Sequence, residues 1–105
     1  MYKPLPENLR LGFSDIHDMG VFAKEAIPKA TNLGMTHLQF RKNLIRTPLG
    51  GFLNHKKDPN CDKVKLKLTN SGDQLEYTFN KWNLITIKDI KEGEELTLKY
   101  TFYDI

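Results

Sequence analysis

The strongest constraint on this chain is the shortness of its apolar runs. Apolar residues alternate with polar ones over a few positions and then stop at Gly, Pro, Asn or Asp, and no stretch sustains a 3.6-residue apolar repeat. Alternation sends every second side chain to one face of a strand, so the expected fold is mostly β, made of small sheets held by loops. Val64, Leu66 and Leu68 alternate with Lys63, Lys65 and Lys67. Asn70-Ser71-Gly72-Asp73 then supplies turn chemistry before Leu75, Tyr77 and Phe79, which predicts a hairpin with one wet face. Leu84, Ile85 and Ile87 read as an apolar strand, Lys91-Glu92-Gly93 as a turn, and Leu96, Leu98 and Tyr100 as its return, a second hairpin-like unit. Shorter strands are expected around Leu9 to Phe13, Val21 to Ala23 and Asn32 to Met35. Thr47 to Asn60 carries Pro48, Gly50-Gly51, Asn54 and Pro59, which predicts a short helical turn entering an irregular loop.

Composition narrows the classes. A chain of 105 residues has room for one core, so residues 1–105 are expected to form a single domain. With 39% apolar and 28% charged residues it lies far from the signature of disorder. Cys61 is the one cysteine, which excludes an internal disulfide framework and makes a reducing, cytoplasmic setting the easier fit. No apolar run approaches the roughly 20 residues of a membrane span. Sixteen Lys and Arg against thirteen Asp and Glu leave a charge of +3, too small to argue for direct nucleic-acid binding. The spacings of His17, His37, His55, Asp58 and Cys61 match no zinc pattern, so no metal site is expected. Lys63, Lys65 and Lys67 read as solvated guards of an exposed strand, and Glu92, Glu94 and Glu95 as a charged surface turn.

The loop Gly51-Phe52-Leu53-Asn54-His55-Lys56-Lys57-Asp58-Pro59-Asn60-Cys61 concentrates donors, acceptors and turn formers. Taken alone it reads as a surface turn whose side chains cap their own backbone. It stands in series with Ile16-His17-Asp18-Met19-Gly20-Val21-Phe22-Ala23-Lys24 before it and Gly93-Glu94-Glu95-Leu96-Thr97-Leu98-Lys99-Tyr100 after it. In this order the three segments resemble the SET-domain family of protein lysine methyltransferases. The corresponding family patterns are a Gly-x-Gly-Val-Phe opening, an Asn-His-Ser-x-x-Pro-Asn loop and a Gly-Glu-Glu-Leu-Thr-x-x-Tyr ending. Asp18 stands where the family has its first glycine and Lys56 where it has serine. Asp62 and Lys63 occupy the place of a common aromatic, and the cysteine-rich flanks of many members are absent.

The resemblance implies a β-clip fold of small curved sheets with a knot-like crossing of the C-terminal segment under the Asn-His loop. It implies S-adenosylmethionine as methyl donor and the side-chain amine of a lysine on a protein or peptide as acceptor. By match of motif, the backbone around Asp18, Met19 and Gly20 would lie along the cofactor, and Asn54 and His55 would hold its amino acid part and adenine. Tyr100 would stand at the methyl-transfer point, with Phe102 and Tyr103 walling the lysine channel. Asp18 and Lys56 also motivate a second reading, a SET-derived module that binds a peptide or partner without turnover. A third is a β domain that binds nucleic acid through the Lys63 to Lys67 face. Without the usual flanks, a second copy of the chain could complete the substrate groove.

Overall fold

The computed structural model describes residues 5–70 and 77–99. In chain order its elements are β1 (Leu9–Phe13), β2 (Met19–Ala23), β3 (Asn32–Phe40), β4 (Asn43–Arg46), α1 (Pro48–Gly51), β5 (Asn54–His55), β6 (Cys61–Asn70), β7 (Tyr77–Thr86) and β8 (Glu95–Leu98). Among the described residues the strands form two four-stranded sheets, ordered β1-β2-β8-β5 and β4-β3-β7-β6. The mostly β architecture of small sheets is the one expected from the alternating runs. Phe102 and Tyr103, and with them the distal part of the expected C-terminal crossing, lie outside the described residues, as does Tyr100.

The short helix shows how local chemistry sets local structure. Thr47 is extended and its hydroxyl oxygen accepts from the Gly50 N–H at 3.2 Å, capping a turn that has Pro48 at its start. The same hydroxyl donates to the Met35 carbonyl at 2.6 Å, which ties the turn to β3. The backbone approach is so close that a Cβ on Gly50 would lie 2.4 Å from the Thr36 carbonyl oxygen. Leu49, 3% exposed, then joins Leu84, Leu96, Leu98, Val21 and Cys61 in the core.

Two expectations fail. Leu84 and Ile85 are the end of β7, which pairs with β3 and β6, whereas β8 pairs with β2 and β5 in the other sheet. The Lys91 to Glu94 turn exists, with Gly93 at φ +84° and the Glu94 N–H donating to the Lys91 carbonyl, but it joins two sheets and closes no hairpin. Alternation says which side chains share a face and is silent about which strand lies alongside.

The second failure is the single wet face of the β6–β7 hairpin. Directly opposed residues of an antiparallel pair share a face. Lys63, Lys65 and Lys67 therefore stand on the face of Leu84, Trp82 and Asn80, which is the face that meets the core. The Lys65 ammonium lies 5.7 Å from the Trp82 ring centroid, its apolar stem lying along the sheet. Val64, Leu66 and Leu68 point to the opposite side and are 42%, 43% and 38% exposed. The hairpin extends past the core, so both faces of its outer half meet solvent. None of the described helices is long and apolar enough to cross a membrane.

His37 is buried between α1 and β7, and desolvation, helped by the charges of Lys63 and Arg46, pushes its pKa down to about 4. The Thr36 hydroxyl donates to the Trp82 carbonyl at 3.2 Å, so its oxygen accepts from His37 Nδ1 at 3.0 Å and the ring carries its proton there. An unfolded chain takes up a proton near pH 6.5 and the folded one does so only near 4. Stability from the neutral ring is therefore full above about pH 6.5 and is lost as the pH falls toward 4. Chemical denaturation should show a loss of about 2 kcal/mol between pH 7 and 5, flattened in His37→Gln. An unchanged slope in that variant would show that the ring does not carry the effect.

Candidate functional site

The site forms where β8 lies between β2 and β5. β5 is short and runs parallel to β8, with Asn54 opposite Thr97 and His55 opposite Leu98, and the Lys56 N–H continues the ladder to the Leu98 carbonyl at 2.9 Å. β2 lies antiparallel on the other side of β8, with Val21 opposite Leu96 and Phe22 opposite Glu95. Segments from three distant parts of the sequence are thus held side by side by backbone hydrogen bonds.

Side chains then lock the loop of the β1–β2 hairpin onto this frame. The Asn54 amide nitrogen lies 3.1 Å from the His17 carbonyl, 3.1 Å from the Met19 carbonyl and 2.8 Å from Glu95 Oε2. Three acceptors around one atom identify it as the NH2 group. Ser14 donates its hydroxyl to the same carboxylate, at 2.7 and 2.9 Å to the two oxygens, and accepts from the Ile16 N–H at 2.9 Å. The Glu95 carboxylate therefore gathers donors from β5 and from the hairpin loop, and hydrogen bonds to a charged group contribute about 1.5–3 kcal/mol each.

Gly20 is explained by this network. A Cβ there would stand 2.3 Å from Glu95 Oε2 and 3.1 Å from the Asn54 amide nitrogen, so the residue must lack a side chain for the carboxylate to reach across. Asp18 has φ +39°, the left-handed conformation that glycine adopts freely and that Asp tolerates better than most residues. The Asp18 side chain is 84% exposed, beside a similarly exposed His17 at 3.7 Å.

Asn60 pins the other side of the loop. Its carbonyl oxygen accepts from the Thr97 N–H at 2.8 Å, and its amide donates to the Glu95 carbonyl at 2.8 Å and to Glu94 Oε2 at 3.0 Å. Burial alone would push the Glu94 carboxyl up, but hydrogen bonds from the Lys91 backbone and Asn60, with the charges of Lys91 and Lys56, bring it below its ordinary value. Glu94 and Glu95 are therefore half-buried structural acceptors and not the solvated surface charges expected of this turn. Cys61, next to Asn60, is 1% exposed and burial pushes its thiol up to about 12, so it is no nucleophile.

These groups border a cleft of about 470 Å³. Asp15 and Ile16 come to it from the hairpin loop, His55 and Lys56 from the Asn-His loop, and Glu94, Glu95 and Thr97 from β8 and the turn before it. Lys88 donates to Asp58 at 2.7 Å on its rim, and this contact, more than any other, holds the Asp58 carboxyl below its usual range. Of the expected site residues His55 lines the cleft, Met19, Gly20 and Asn54 meet at the Glu95 carboxylate on its border, and Asp18 is exposed in the same hairpin loop; Tyr100, Phe102 and Tyr103 lie outside the described residues. Ser14, Asn60 and Glu95 were missed from sequence. The second glutamate of Gly-Glu-Glu-Leu and the asparagine of Pro-Asn were visible signals for two of them, whereas nothing around Ser14 marks it.

Gly20→Ala should lower stability by about 1–3 kcal/mol, because the carboxylate must withdraw from its donors. The pair Gly20→Ala with Glu95→Ala should cost less than the sum of the single changes, measured as a double-mutant cycle by chemical denaturation. Additive losses would show that Glu95 is not what excludes a side chain at position 20.

The family model for the SET domain matches residues 36–101, more than half of the chain. It begins after Asp18, Met19 and Gly20, whose place rests on the geometry above. No curated protein matches the chain at a significant level. Among solved structures the fold is shared with a proposed histone methyltransferase of Plasmodium falciparum, at 15% identity and a TM-score of 0.65, over 93% of this chain and 96% of that one. At that identity the likeness is one of fold, and it includes the N-terminal hairpin that the family model leaves out. On the family match and the shared arrangement of strands together, the chain belongs to the SET-domain family.

Proposed function

We propose that the protein is an S-adenosylmethionine-dependent methyltransferase acting on the side-chain amine of a lysine in a protein or peptide. The observation that supports this best is the convergence of the hairpin loop, the Asn-His loop and β8 around one cleft, in a chain of this family. The cleft volume falls within the roughly 300–1,000 Å³ of small-molecule sites. Its charges are mixed: the Asp15 carboxylate suits an ammonium or sulfonium and the Lys56 ammonium suits a carboxylate, while Glu94, Glu95 and Lys88 are engaged by the chain itself. That donor set fits an amino acid that also carries a cationic sulfur.

S-adenosylmethionine, when bound, supplies a methyl group made electrophilic by its positive sulfur. The Asn54 amide NH2 is engaged by the chain itself, so Asn54 acts on a ligand chiefly by holding the His17–Met19 backbone in place. His55 and Lys56 border the cleft directly. In water the acceptor lysine is an ammonium with a pKa near roughly 10.4 and has no lone pair to attack carbon. An apolar aromatic channel disfavours that charge and releases the proton to solvent, the role assigned here to Phe102 and Tyr103. Tyr100 would orient the neutral amine toward the methyl group that the cofactor supplies.

Calorimetric titration with S-adenosylmethionine should show one site, and incubation with labelled cofactor and a mixed protein pool should label proteins of the pool. Tyr100→Phe should slow labelling by roughly tenfold or more while cofactor binding persists. Binding without labelling would favour the non-catalytic peptide-binding module, for which Asp18 and Lys56 are the motif departures. Equal labelling by both proteins would remove Tyr100 from the mechanism.

A further inference from the structure

The net charge of +3 hides a segregation. The two hairpins of the sheet β4-β3-β7-β6, residues 32–46 and 61–86, hold seven of the sixteen Lys and Arg but three of the thirteen Asp and Glu, so the rest of the chain is slightly acidic. Of those three carboxylates, Asp73 and Glu76 lie outside the described residues and Asp62 sits at the inner end of β6, opposite Ile85. Lys65 and Lys67 are exposed toward the outer end, Arg46 stands exposed on the same face across the sheet, and Arg41 and Lys42 form the turn between β3 and β4. Lys67, Asn80, Gln39 and Leu44 make one row across the four strands, and the Asn80 amide donates to Gln39 at 3.1 Å, so the floor between Lys67 and β4 is polar. Charged residues discourage pairing at a sheet edge, but either sign does that, whereas every described charge of this sheet beyond Asp62 is positive.

We propose that this basic end of the sheet binds the phosphate backbone of a nucleic acid. Lys63, Lys65 and Lys67 recur at every second residue of an extended strand, which sets their stems about 6.6 Å apart in a line roughly 13 Å long. Arg46 lies three strand intervals from Lys65, about 14 Å across the same face. Among the described residues no carboxylate pairs with Lys42, Lys65, Lys67 or Lys81. An evenly spaced line of one charge sign suits a polymer whose own charge repeats evenly and with one sign. A folded protein surface instead mixes acidic side chains with basic and apolar ones. Phosphate contacts need Lys and Arg and no apolar pocket, and they carry no sequence preference, so the gain comes from counterions released by the nucleic acid. Lys65 also reports on the contact. Its ammonium lies 5.7 Å from the ring centroid of Trp82, the one tryptophan of the chain, and a phosphate that draws it away alters the emission of that ring.

The surface is independent of the methyltransferase reading. Fluorescence anisotropy of a labelled DNA duplex of about 20 base pairs, and of a single-stranded RNA of about that length, should show binding to the full chain that tightens as salt falls. For the duplex, log K against log salt should slope at about −3, as for three phosphates neutralised, and the tighter of the two probes identifies which nucleic acid the surface prefers. Lys65→Glu with Lys67→Glu should weaken binding at least about tenfold and flatten the slope by about two. It should also abolish the change in Trp82 emission while leaving the far-ultraviolet circular dichroism spectrum as it is. Lys24→Glu with Lys29→Glu, the same change of charge on exposed residues outside the sheet, should stay within about threefold of the unaltered chain. Binding of both probes weaker than roughly 100 micromolar in about 50 mM salt would overturn the proposal. So would equal weakening by the two doubly altered chains. Displacement of the probe by polyglutamate of equal total charge, as readily as by unlabelled duplex, would also overturn it and make an acidic protein the partner.

Discussion

The Glu95 carboxylate joins three segments that are remote in sequence: Ser14 reaches it from the hairpin loop and Asn54 from β5, while its own strand, β8, lies between β2 and β5. A half-buried carboxylate is costly unless its oxygens are hydrogen-bonded, and here each accepts from a neutral donor among the described residues. The hairpin loop is held against β5 as a result, and the cleft has a fixed wall. Gly20 follows from the same contact, because the carboxylate occupies the space a side chain would fill. A glycine that sequence patterns associate with a ligand is thus required first by the protein's own packing.

Asn60 plays the matching part on the far side of the cleft. It meets β8 through both ends of its amide, and its own carbonyl accepts from the Ile87 N–H at 2.8 Å, so the loop from Lys56 to Asn60 is fixed at its base while its rim stays polar and open. Rigid support beneath an accessible rim is what positioning a small reactant demands, since an error of about an ångström can remove most of the rate advantage of orientation. Asn60, Glu94, Glu95 and Thr97 both line the cleft and carry the hydrogen bonds that hold its shape, whereas Ser14 and Asn54 support it without lining it.

Both sheets divide their labour unevenly. The first places its strands around the cleft. The second anchors α1 and the core through Leu84, Trp82 and Thr36, and extends a long hairpin beyond it. His37 shows what that anchoring costs: a ring kept neutral by burial ties the stability of this sheet to pH.

From sequence alone the strand-rich class, the short helical turn within Thr47 to Asn60 and the three motif segments were legible, because alternation and turn formers are local properties of neighbouring residues. The family resemblance carried by the order of the motifs implied a shared site for Asn54, Asp18 and Gly20, and the structure links Asn54 and Gly20 through Glu95. Tertiary structure alone decided that β8 leaves the β7 hairpin and inserts between β2 and β5, that Glu95 and Ser14 meet, and that the apolar side of β6 faces outward. Each of these depends on which distant strands lie together. Backbone hydrogen bonds are the same for every residue pair, so the alternation that shapes a strand carries no record of its neighbour.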